Sequence, residues 1–116
     1  MQKSLFLALA GVTGIAVTAT AWAQNAPGGN AANGKMLFEH VGCYQCHGFA
    51  GQGGAAGPKL VPALEFEPFA LQLRMPRQLM PPYSPQALSD QQVADIHAFV
   101  KSLPGPVNRA NVPLLQ

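Results

Sequence analysis

Apolar positions along the chain fall into three stretches of helical spacing and none of strand spacing. From Asn33 to Val41, Gly34 and Phe38 share one face and Leu37 and Val41 lie beside it, which predicts a short amphipathic helix. A second short helix is predicted over Pro68–Arg74. Glu67 precedes it, Pro68 stands at the first helical position where a missing N–H matters least, and Pro76 drives Met75 out of helical geometry. The third is the best marked: Ser89 and Gln92 form an S-x-x-Q capping box, Val93, Ile96, Phe99, Val100 and Leu103 make the apolar stripe, and Pro104-Gly105 ends it. His40 and His97 are expected to be partly exposed helix residues. Between the helices, Gly48–Pro62 reads as a glycine-rich loop that needs something to wrap, and Met75–Pro85 as an extended loop stiffened by Pro76, Pro81, Pro82 and Pro85. The expected class is all-α, with short helices joined by Gly/Pro-rich loops and no internal repeat.

The first residues read as an address. Lys3 precedes an apolar run from Leu5 to Val17, too short for a membrane span, and Ala21-Trp22-Ala23 offers an A-x-A cleavage site. The expected organisation is a signal peptide over 1–23 cleaved after Ala23, a flexible leader over 24–33 rich in Asn, Ala, Gly and Pro, a domain over 34–104, and a tail over 105–116. No stable membrane insertion is expected after cleavage. A chain of this size buries on the order of 60 to 65% of its unfolded surface, so an embedded apolar body would supply much of its core. The formal net charge is +2, and the basic residues from Lys35 to Arg109 are scattered, which excludes the clustered basic face of a nucleic-acid binder.

Both cysteines of the chain lie in Cys43-Tyr44-Gln45-Cys46-His47. C-x-x-C-H is the attachment motif of a c-type haem: two thiols three positions apart can bond the two vinyl groups while the adjacent imidazole reaches the iron. With both thiols assigned, no disulfide framework remains, and a four-ligand zinc site would need scattered histidines. A C-x-x-C pair also serves as a redox dithiol, but in a βαβ setting that this chain lacks. Covalent haem attachment of this kind takes place outside the bacterial cytoplasm, so motif and leader agree on a periplasmic location.

Taken in order, Gly34 to Phe38, Cys43 to His47, Gly57-Pro58-Lys59-Leu60, Arg74 to Tyr83 and Ser89 to Leu103 resemble the class I, single-haem bacterial cytochromes c. The match runs over the chain from Gly34 to Leu103. One departure is an additional residue before the first cysteine, where Val41-Gly42 occurs. The resemblance implies that Cys43 and Cys46 carry the thioethers and that His47 is the proximal iron ligand. It implies that the Pro58 carbonyl accepts a hydrogen bond from the non-ligating His47 nitrogen, and that Gly34, Phe38 and Phe99 lie where the first and last helices cross. Met80 is implied as the distal ligand: Met36 belongs to the first helix and Met75 directly follows the second, whereas Met80 lies inside the proline-stiffened loop.

With His/Met ligation the soft thioether raises the reduction potential and leaves no vacant site for substrate. The expected function is therefore one-electron transfer by a covalently held haem c, with no catalysis of its own. The expected partners are redox proteins, a periplasmic dehydrogenase as donor and an oxidase or another cytochrome as acceptor, met through small contacts. Two other readings are a catalytic or gas-binding haem protein with a labile distal ligand, and a tightly bound electron-transfer subunit of an oxidoreductase complex.

Overall fold

The computed structural model describes residues 27–107 and 109–115; the expected signal peptide and the first residues of the leader lie outside them. Four helices follow one another: α1 (Ala31–His40), α2 (Cys43–His47), α3 (Phe66–Arg74) and α4 (Asp90–Ser102). The 3-10 turns Arg109–Asn111 and Pro113–Leu115 come last. No strand occurs among the described residues, and no described helix is long and apolar enough to cross a membrane.

α1 begins earlier than its apolar spacing predicts. Asn30 caps it, its side-chain oxygen accepting the backbone N–H groups of Ala32 and Asn33 at 3.0 and 3.1 Å. The expected flexible leader is thus corrected at its end, where residues 31–33 form the first turn of the helix. The reason lies far along the chain. Asp95 of α4 accepts the Asn30 backbone N–H at 2.8 Å and the Asn33 side-chain amide at 2.7 Å, and Gln91 joins it at 3.0 Å. Asp95 is 5% exposed, so a buried charge is kept fully bonded, as burial requires. The Asn30 amide, followed by those of Asn33 and Gln91, holds its carboxyl below the usual range against the opposing effect of burial.

α1 and α4 make the principal helix–helix contact. Gly34 is its point of closest approach, because a Cβ there would overlap the Asp95 carbonyl. One turn on, Phe38 meets Phe99 edge-on, with ring centroids 5.3 Å apart and planes at 62°. Val93, Ile96 and Val100 of the predicted stripe are at most 1% exposed, and Leu88 and Leu73 close the same core. The capping box on α4 forms in both directions, with Gln92 returning to the Ser89 N–H at 2.8 Å.

Three further elements differ from expectation. α3 starts two residues before Pro68, which sits at its third position, where its ring still forfeits no intrahelical bond. The haem-type motif is itself a helix: Gly42, just before it, takes a left-handed φ of 82°, so the chain can leave α1 and start α2 within one turn. His97 is buried, not partly exposed. Its Nε2 lies 2.8 Å from the Leu64 carbonyl, and Phe66 and Phe69 pack against its ring.

Gly34→Ala should force α1 and α4 apart and lower stability by an amount at or above the upper end of the ~1–3 kcal/mol typical of overpacking, measured as a fall in the denaturant midpoint. For Asp95, whose folded pKa is depressed, the stabilisation is present above the unfolded value of about 4 and is lost as pH falls toward the lower folded value. Asp95→Asn sets an NH2 against other donors and should lower stability at neutral pH by about 1–3 kcal/mol. The gap to the parent protein should narrow below about pH 4 in urea titrations.

Candidate functional site

A cavity of about 1150 Å³ opens between α1, α2, α3 and the two loops. That is just above the usual range of volumes that hold small molecules and cofactors. Cys43, Cys46, His47, Pro58 and Met80, all singled out in the sequence, line it together.

α2 presents the first three. Its five residues place both thiols half-buried on the cavity wall, and His47 is 8% exposed. Burial pushes the Cys43 thiol up to about 11, against smaller opposing pulls from its own backbone amide and the Tyr83 hydroxyl. At neutral pH it is a protonated, apolar-facing thiol.

His47 is fixed by the loop that follows. Its Nδ1 lies 2.7 Å from the Pro58 carbonyl, so Nδ1 carries the proton and donates, which leaves Nε2 as the nitrogen free to coordinate. The glycine loop is not slack. The Gly53 N–H bonds the His47 carbonyl at 2.8 Å, Leu60 N–H bonds the Gly51 carbonyl at 2.8 Å, and Gly54 N–H bonds the Gly57 carbonyl at 2.9 Å. What this loop wraps is α2 and the floor of the cavity.

The opposite wall comes from the proline-rich loop. Of the three methionines among the described residues, only Met80 lines the cavity; Met36 is 64% and Met75 72% exposed. The loop is closed at both ends. Arg74, the last residue of α3, donates from Nη1 to the carbonyls of Tyr83 and Leu88, each at 2.8 Å, and pairs through Nη2 with Asp90. Tyr83 N–H bonds the Leu73 carbonyl at 2.9 Å, and its hydroxyl donates to the Val41 carbonyl at 3.0 Å. This last bond ties the methionine loop to the residues just before Cys43.

Of the other histidines, His40 is exposed at the cavity rim and His97 does not line the cavity. Sequence reasoning passed over Gln72, whose amide lies on the cavity wall 3.7 Å from the Met80 sulfur. Its sequence signal is slight: a polar residue three positions after Phe69 in an otherwise amphipathic helix.

Two half-buried thiols on one wall, an imidazole presenting a single free nitrogen and a thioether on the other wall make a donor set that fits a covalently attached haem. Comparison with known proteins agrees. Residues 29–100, from the approach to α1 through most of α4, match the family model described as cytochrome c oxidase, cbb3-type, subunit III. The chain belongs to this family of c-type cytochrome domains. Its role is electron transfer, and the family carries covalent haem c, for which Cys43, Cys46 and His47 supply the C-x-x-C-H motif.

Two curated relatives bear the name cytochrome bc1 complex cytochrome c subunit. That of Corynebacterium diphtheriae is 41% identical over 76 residues, covering 61% of this chain and 26% of the relative. That of Corynebacterium efficiens is 42% identical over 74 residues, covering 60% of this chain and 24% of the relative. The chain thus spans about a quarter of the length of these relatives.

Arg74→Met should leave the carbonyls of Tyr83 and Leu88 without their donor and release the methionine loop. We expect a stability loss of about 2–4 kcal/mol, from the lost charge-assisted bonds and two orphaned acceptors, measured by chemical denaturation of the haem-containing protein.

Proposed function

We propose that this chain is the one-electron relay of a membrane-bound respiratory oxidoreductase complex. In this reading haem c is bonded through Cys43 and Cys46, and His47 Nε2 and Met80 Sδ are the two iron ligands. The observation that carries the reading is the pairing of the His47–Pro58 clamp with the one described methionine that lines the same cavity.

When bound, the haem supplies a reversible one-electron couple. The protein's part is to hold it. The Pro58 carbonyl fixes the tautomer and orientation of His47 and makes its ring a better donor. Met80, presented from a loop closed by Arg74 and Tyr83, supplies a soft sulfur that favours the ferrous state and raises the potential. With His47 and Met80 both holding the haem, no open position would be left for a substrate or gas. This favours electron transfer over the catalytic and gas-binding readings.

Between a freely diffusing carrier and a bound subunit, the second has the better support. Both relatives are named as subunits of a bc1 complex. Electron donor and acceptor are then neighbouring centres of a respiratory assembly on the exported side of the membrane. That location rests on the expected leader and on the site of covalent haem attachment.

Two experiments test this. Met80→Ala should abolish the long-wavelength sulfur-to-iron charge-transfer band, lower the potential and open the ferrous protein to carbon monoxide, while Met75→Ala should do none of these. The reverse pattern would place the distal ligand at Met75. Mild detergent extraction followed by affinity purification in moderate salt should bring down other haem subunits with the chain; recovery of the chain alone would return the reading to a free carrier.

A further inference from the structure

A methionine side chain has three rotatable bonds, so a loop that fixes the Met80 backbone leaves its sulfur several rotamers to choose from. Something else must select one. The structure contains a candidate in the side-chain amide of Gln72, with Nε2 3.7 Å from Met80 Sδ, within the reach of an N–H donor to sulfur.

Both ends of this contact are held. Gln72 lies on α3 between Phe69 and Leu73, which are 9% and 3% exposed and anchor that helix in the core. Its own side chain is half-buried and lines the cavity. Met80 sits in the loop that Arg74 and Tyr83 close. An amide on a half-buried cavity wall is best satisfied by a hydrogen-bond partner. Here that partner is the thioether.

We propose that Gln72 is a positioning residue for the distal ligand: its amide donates to one lone pair of the Met80 sulfur and leaves the other for the metal. The proposal rests on Met80 being the axial ligand. A thioether sulfur carries two lone pairs, so a donor on one and iron on the other are compatible. With the donor in place, the sulfur has one preferred orientation; without it, the side chain samples several and yields its place more readily to a competing ligand.

The test uses the haem-containing protein with Gln72→Leu, which removes the amide, and Gln72→Glu, which keeps its size while its carboxylate at pH 7 can only accept. Ferric protein is titrated with imidazole, which competes with Met80, and the Met80 methyl resonance is followed by NMR in the ferrous state. Both variants should bind imidazole about two- to fivefold more tightly, the factor that a hydrogen bond at the weaker end of the usual range is worth, since a thioether is a weak acceptor. Both should also shift or broaden the methyl resonance while keeping the charge-transfer band. Unchanged imidazole affinity and an unchanged resonance in the two variants would overturn the proposal. So would an effect confined to Gln72→Leu, since that would make Gln72 a space-filler. If Gln72→Leu fails to fold, the near-isosteric Gln72→Glu decides alone. Absence of the charge-transfer band from the parent protein would instead overturn the Met80 assignment, a failure distinguishable from that of Gln72.

Discussion

The fold hangs on the place where α1 and α4 touch backbone to backbone. A helix of ten residues is marginal by itself, and a chain this small has few others to lean on. Gly34 removes the side chain that would hold the two helices apart, Phe38 and Phe99 fill the space one turn further along, and Asp95 fastens the start of α1 from within α4. With those two helices clamped, the shorter α2 and α3 and the loops between them need only be hung around the remaining volume.

That remaining volume is the cavity, and hydrogen bonds fasten the two loops that wall it. Neither loop around it offers a continuous apolar face. The glycine loop is fastened by its own backbone and by the Pro58 carbonyl on His47, the proline loop by a guanidinium reaching two carbonyls. Polar fastening suits a wall that must stay in place beside a large embedded group. Apolar loops would be drawn to collapse into the space, whereas bonded backbone keeps its shape.

What could be read from the chain depended on whether the cause was local. The capping box and stripe of α4 are complete within fifteen residues, and they formed as expected. The C-x-x-C-H motif likewise states its chemistry in five residues, yet its helix was not legible, because five residues carry no apolar period and the turn into them depends on a left-handed Gly42. The start of α1 was missed because Asn30 stands among Asn, Ala and Gly that read as loop, while the partner that orders it is Asp95. His97 flanks its stripe and looks like a surface residue until the Leu64 carbonyl and two phenylalanines close over it. The approach of Pro58 to His47 was legible only through family resemblance, since a carbonyl eleven residues away leaves no mark in composition or periodicity.

The bond from Asn30 to Asp95 spans 65 positions, and the haem motif lies inside the span. Cys43, Cys46, His47, Pro58 and Met80 all fall between its two ends, so this one bond closes the chain into a ring that contains every residue of the site. Closing so long a ring costs little more than closing a short one, because the entropy of closure grows only with the logarithm of length.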